Sequence, residues 1–137
     1  DGALSRKGKE YMKYFWIPCV ILAAVFSLSL LNARTVSETV SEWCGELQSA
    51  QQSADEGNWA ETQRMLAGTY EKWGARQSYF HIVTVHAELD EVEALFAKSR
   101  SFALERDEAE FRANTAELIT QLKLLAEMQE ISVKNIL

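Results

Sequence analysis

The chain has 137 residues and a formal net charge of −6, a size that fits one domain and a short additional segment. Residues 1–34 hold five Lys/Arg and two Asp/Glu, whereas residues 35–137 hold nine Lys/Arg and eighteen Asp/Glu. The acidic part excludes nucleic acid as an expected partner, because phosphate contacts require clustered Lys and Arg. Cys19 and Cys44 lie in different segments without CxxC or Cys/His spacing, so neither a disulfide nor a zinc site is expected.

An uncharged apolar run of 18 residues extends from Tyr14 to Leu31. As a helix it would be about 27 Å long, just enough to cross the hydrocarbon core of a bilayer. Its only proline, Pro18, falls near the start, where the missing N–H is tolerated best. The sequence therefore predicts a transmembrane helix over residues 14–33.

The flanks of this run predict its orientation. A basic segment, residues 1–13, precedes it and includes Lys9 and Lys13, which favour anionic headgroups. Tyr14 and Trp16 fall at the interfacial level that aromatic side chains prefer. Because basic flanks stay in the cytoplasm, we expect a single-pass protein of the cell membrane with an extracytoplasmic domain.

Two other interpretations of the apolar run stay open. A cleaved signal peptide is one, although the run is longer than a usual signal core and Leu31 is a large residue for the −3 position of a cut after Ala33. Lipoprotein processing at Cys19 is the other, and it is disfavoured because Ile17 and Pro18 replace the small residues that such processing requires.

The region 34–131 contains no proline and shows helical rather than alternating spacing. A first helix continues from the apolar run with one apolar stripe, and Gly57-Asn58 ends it and caps the next. The second helix is predicted from about Trp59 to Arg76, with a turn near Gln77-Ser78. The stripe of the first helix comprises Val36, Val40, Trp43, Leu47, Ala50 and Ala54.

The third helix is predicted from about Tyr79 to Leu104, and the fourth begins after Asp107 as N-cap. Their stripes comprise Val85, Leu89, Val92, Phe96, Ser99 and Ala103, then Phe111, Leu118, Leu122 and Leu125. Residues 132–137 are predicted to be a short tail. The expected fold is all-α: one N-terminal transmembrane helix followed by an antiparallel, up-down bundle of about four helices, with a TPR-like solenoid as the alternative.

Several short motifs resemble a family of spore-forming Gram-positive bacteria, the domain of unknown function numbered four thousand three hundred and sixty-three. The resemblance implies a basic start, one membrane segment and a helical domain, and it implies no activity. Members tend to be encoded near a small multi-pass membrane protein, which implies a membrane protein as partner. The residues that carry the resemblance are Asn58-Trp59, Trp73, His86 to Asp90, Val92-Glu93 and Asn135 to Leu137.

Two sets of residues are candidates for binding a ligand or partner. His86, Asp90 and Glu93 can share one face of the third helix, as a cation or proton site or as a histidine hydrogen-bonded at the edge of the core. Trp59 and Trp73 belong to a set of aromatic residues that fits either a pocket or a core. No nucleophile or phosphate-loop motif is present.

The sequence therefore favours a membrane-tethered, non-catalytic interaction or scaffold domain that is accessory to another membrane protein. A sensor domain that binds a small ligand or cation is the alternative. Neither an enzyme, nor a resident cofactor, nor a metal is expected. The lipid bilayer is the second expected partner, and the sequence does not indicate an oligomeric state.

Overall fold

The computed structural model describes the backbone of residues 2–135 and the side chains of residues 6–82 and 84–135. Within these residues the chain forms four α-helices and no strand: α1 (Gly2–Asp55), α2 (Trp59–Val83), α3 (His86–Glu105) and α4 (Glu108–Asn135). α1 and α3 each pack against both α2 and α4. Because the connections are short, sequential helices run antiparallel around a closed ring. The predicted all-α bundle with a long apolar N-terminal helix is confirmed.

α1 has 54 residues, which corresponds to a length of about 81 Å. Its N-terminal half projects beyond the bundle, and side chains such as Trp16, Leu22 and Leu28 are exposed. It holds the one segment of the described chain that is long and apolar enough to cross a membrane, and that segment is not buried in protein. Its C-terminal half enters the bundle without a break in the helix.

The predicted apolar stripes account for most of the core. All six stripe residues of α1 are buried, and so are the four that were predicted for α4. The α3 stripe is buried from Leu89 to Ala103, but Val85 is 64% exposed. Val85 precedes α3 in an extended conformation (φ −68°, ψ 133°), so helical spacing does not apply to it.

The predicted turn at Gln77-Ser78 is wrong, because α2 continues to Val83. Phe80 is buried beside Trp73, with ring centroids 5.3 Å apart, and this packing extends the inner face of α2 beyond the predicted turn. The amide of Thr84 donates to the carbonyl of Phe80 at 2.9 Å, and Thr84 itself is extended. The chain therefore turns at Thr84 and Val85, two β-branched residues for which extended conformations cost little.

Both predicted N-caps are confirmed. Asn58 Oδ1 accepts from the amide of Glu61 at 3.3 Å, and Asp107 Oδ1 accepts from the amide of Glu110 at 3.2 Å. Each satisfies one of the free amides at a helix start. Gly57 has φ +76°, a left-handed conformation that glycine adopts without the penalty of a Cβ.

The last helix extends further than the sequence predicted, into the segment that was expected to be a tail. α4 remains helical through Asn135, so Ser132 to Asn135 belong to the helix. Val133 is partly buried there. Ile136 and Leu137, the remaining part of the predicted tail, lie outside the described residues.

Candidate functional site

The carboxylate of Glu93 on α3 is tied to α2 by three hydrogen bonds. Its Oε1 accepts from Trp73 Nε1 and from Gln77 Nε2, each at 3.0 Å. Its Oε2 accepts from the hydroxyl of Tyr70 at 3.1 Å. The three donors are spaced three and four residues apart on α2, so one helix face presents them together. Glu93 therefore fastens α2 to α3.

The same carboxylate changes the chemistry of Tyr70. The hydrogen bond to Glu93 and the negative charge of its carboxylate raise the pKa of Tyr70 above its usual value. Both effects favour the neutral phenol, because a phenolate could not donate to the carboxylate and would repel it.

A groove of about 590 Å³ lies beside Glu93, between α2 and α3, a volume within the range of small-molecule pockets. Arg64 and Arg100 stand at its polar edge. Arg64 is paired with Glu61, whereas Arg100 has no hydrogen bond or ion pair with another described residue. The groove can therefore offer an apolar surface and one uncommitted cation. Its apolar lining comprises Ala60, Leu66, Ala67, Phe96, Ala97 and Leu104.

The two histidines form a pair at the turn between α2 and α3. His81 Nδ1 and His86 Nδ1 are 3.1 Å apart, and both side chains are exposed. One ring must donate and the other accept, so at least one imidazole of the hydrogen-bonded pair is neutral. His86 is the first residue of α3, and its ring contacts the last turns of α2.

The structure does not bring His86, Asp90 and Glu93 together. His86 contacts His81, Asp90 is exposed, and Glu93 is held between α2 and α3. Among the described residues no group of three His, Cys, Asp or Glu side chains is arranged to hold a metal ion. A ligand that used all three residues would require a rearrangement of Glu93 and the loss of its three hydrogen bonds.

Trp43 and Trp73 are buried in the core, and Trp59 packs against the same core from a partly buried position. Trp73 stacks on Phe80 and meets Trp43 edge-on, with centroids 6.0 Å apart. Trp59 is partly buried and packs edge-on against Phe111, with centroids 5.8 Å apart. Trp73 approaches the candidate groove through its hydrogen bond to Glu93 and its ring contact with Phe96, with centroids 6.3 Å apart. Trp59 does not line the groove, although the next residue, Ala60, does.

An exposed apolar stripe on α4 was missed by sequence reasoning. Leu124, Met128 and Ile131 are 44%, 42% and 55% exposed, and their spacing of four and three places them on one helix face. The spacing is visible in the sequence, but the adjacent buried stripe of Leu118, Leu122 and Leu125 dominates the pattern there. We call Leu124, Met128 and Ile131 the α4 stripe.

These features define a four-helix bundle that is carried on an extended apolar helix. The chain matches the family described as Domain of unknown function (DUF4363) over residues 30–136, a region that begins at the end of the apolar run and includes all the bundle. The chain therefore belongs to the DUF4363 family, and the resemblance seen in its short motifs is confirmed. Neither the curated proteins nor the solved structures gave a match.

Proposed function

We propose that the chain is a membrane-tethered, non-catalytic interaction domain that is accessory to another membrane protein. The exposed apolar half of α1 supports the tether, because a run of large apolar side chains outside the bundle is more stable in lipid than in water. The basic residues before it and the acidic bundle after it favour a cytoplasmic N-terminus and an extracytoplasmic bundle.

The α4 stripe is the observation that carries the interaction role. α4 runs antiparallel to α1, since Arg112 pairs with Asp55 and the thiol of Cys44 donates to the carbonyl of Ile119 at 3.9 Å. Later residues of α4 therefore lie closer to the apolar half of α1. The stripe extends toward the membrane end of the bundle, where a helix that leaves the bilayer beside α1 would meet it.

The partner is accordingly an apolar helical segment of another membrane protein. A helix that presents large side chains at the same spacing can pack against the stripe as in a coiled coil. The described polar groups fit a scaffold rather than a catalyst, because Glu93, the carboxylate with the most hydrogen-bond donors, connects two helices.

Site-specific photo-crosslinking in native membranes tests this role. A benzophenone side chain at position 128 in the full-length chain should give an adduct with an integral membrane protein. Position 130 is the matched control, because Glu130 is exposed on the same helix but outside the stripe. Equal adducts at both positions, or no adduct at position 128, would contradict the proposal. An adduct of twice the chain mass would show that the stripe contacts a second copy of this chain instead of another membrane protein.

The orientation has its own test. Protease added to intact cells should digest the bundle, because an extracytoplasmic domain is accessible from outside. Protection of residues 34–131 until the cells are permeabilised would reverse the proposed orientation.

The groove between α2 and α3 favours a second candidate function, binding of a small apolar anion. Its lining is largely apolar. Of its charged side chains, Glu93 already accepts three hydrogen bonds and Arg64 is paired with Glu61, which leaves Arg100 as the cation that an anion can meet. Anilinonaphthalene sulfonate, an apolar sulfonate dye, should fluoresce more strongly with the full-length chain in detergent than with the detergent alone, and Arg100→Ala should remove this excess. Lys98→Ala removes an exposed cation outside the groove and should leave it unchanged. Equal signals in both variants would reject this function.

A further inference from the structure

We infer that the turn between α2 and α3 is itself a lipid-contacting element, seated in the headgroup layer of the membrane beside α1. This inference rests on the proposed membrane tether. It adds a second point of contact, which would fix the tilt of the bundle against the bilayer. We call residues 82–85 the tip.

The level of the tip is set by a hydrogen bond between α1 and α2. The side-chain amide of Asn32 donates to the hydroxyl of Tyr79, and Asn32 directly follows Leu31, the last residue of the apolar run. α2 runs antiparallel to α1, so residues after Tyr79 advance toward the apolar run. Ile82 is three residues further, or about 4.5 Å along the axis. The tip therefore lies level with the last turn of the apolar run.

The side chains at this level are apolar and uncovered. Ile82 is 84% exposed and Val85 is 64% exposed. On the neighbouring helix, Leu28 and Leu31 are similarly exposed. Ile82 and Leu31 lie at a similar level along the bundle axis, so a lipid layer that reaches Leu31 also reaches the level of Ile82.

The tip is held in position by the bundle. Gln129 of α4 donates to the hydroxyl of Thr84 at 3.3 Å, and the amide of Thr84 closes α2 on Phe80. Thr84 is thus fixed from two helices, while Ile82 and Val85 point outward. Two β-branched side chains are consequently presented to the surroundings instead of folding back onto the core.

The polar groups that flank the tip match a headgroup layer. His81 and His86 stand on either side of the turn and hydrogen-bond to each other. Rings with an apolar body and a polar edge suit the boundary between hydrocarbon and water. Along the bundle axis, the apolar tip is followed by the paired imidazoles and then by the acidic bundle. The same order of polarity is found from the interior of a membrane to its surface, which favours lipid as the medium that contacts the tip.

A fluorescence experiment on the full-length chain in vesicles tests the inference. The two native thiols are replaced by Cys19→Ser and Cys44→Ala, and a nitrobenzoxadiazole dye is attached to a new cysteine. The vesicles are phosphatidylethanolamine and phosphatidylglycerol, with nitroxide-labelled lipid as quencher. The reporter variants are Ile82→Cys and, as a second reporter at the tip, Val85→Cys.

Two controls make the result decisive. Leu22→Cys reports on the apolar run, and Glu105→Cys reports on an exposed position at the far end of α3, outside the groove. The inference expects blue-shifted emission and at least two-fold stronger quenching at position 82 or 85 than at 105. If both tip positions match 105 while 22 is quenched, the tip lies in water and the inference is wrong. If 22 is also unquenched, the tether itself fails.

Discussion

Trp73 Nε1 donates a hydrogen bond to Glu93 Oε1 at 3.0 Å, across the interface of α2 and α3. Trp73 is fully buried, and a buried indole N–H requires an acceptor. Glu93 supplies it from a partly exposed position, where its other oxygen accepts from Tyr70. One carboxylate therefore satisfies the polar atom of one of the two buried tryptophans and lines part of the groove.

Replacement of Glu93 by alanine should lower the free energy of unfolding by about 1–3 kcal/mol, because it leaves a buried donor without a partner. Urea unfolding of the full-length chain in detergent, followed by tryptophan fluorescence, measures this. Glu91→Ala is the matched control, since Glu91 is exposed on the same helix. Equal stability of the two variants would show that Trp73 finds another acceptor.

Tyr70 should ionise at a higher pH than an ordinary tyrosine. Its folded pKa is raised by Glu93, so the stabilisation from this hydrogen bond is complete below the unfolded pKa of about 10 and is lost as the pH rises through the folded value. The difference in tyrosinate absorbance between the wild type and Tyr70→Phe isolates this group. In a Glu93→Gln background its midpoint should fall, and an unmoved midpoint would assign the shift to another cause.

Asn114 should be the more important partner in a buried polar pair between α3 and α4. Its Nδ2 donates to the carbonyl of Leu95 at 2.9 Å and to Ser99 Oγ at 2.7 Å. Asn114→Ala removes both bonds and should cost about 1–3 kcal/mol of unfolding free energy. Ser99→Ala keeps the bond to Leu95 and should cost less. The same urea titration checks the order, and a larger loss for Ser99→Ala would reverse the assignment.

The thiol of Cys44 should react slowly while the bundle is folded. The side chain is buried, and this burial raises the pKa of the thiol, which lowers the fraction of reactive thiolate. In a Cys19→Ser variant only this thiol remains, and its reaction with Ellman's reagent in detergent should accelerate at least ten-fold after denaturation. A fast reaction under native conditions would show that α1 separates from α4 near Ile119.

Much of the fold was predictable because the apolar stripes and the caps at Asn58 and Asp107 are local patterns. The turn between α2 and α3 was not predictable from the sequence, because Val85 fits the helical period of α3 although its backbone is extended. The packing of Phe80 against Trp73 continues α2 past the predicted turn, and the extended backbone of Thr84 ends it. Sequence spacing cannot report such contacts between helices.

The candidate site was less predictable for the same reason. Spacing along α3 places His86 near Asp90, but the fold turns its ring toward His81 on another helix. Glu93 was recognised as a candidate from the sequence. Its hydrogen-bond donors on α2 were not, because the antiparallel packing of α2 and α3 brings them to Glu93 and spacing along the chain does not show this. The α4 stripe was hidden because buried and exposed leucines alternate too closely to separate without a structure.

The interaction role and the lipid contact of the tip both depend on the membrane tether. Alkaline carbonate extraction of membranes from cells that express the full-length chain tests this tether most directly. The control is a variant with two lysines in the apolar run, Leu22→Lys with Val25→Lys. It should be released from the membrane, because charges are costly in hydrocarbon. We expect the wild-type chain to remain in the membrane pellet and the variant to appear in the supernatant. A wild-type chain that enters the supernatant as a folded bundle would contradict the tether.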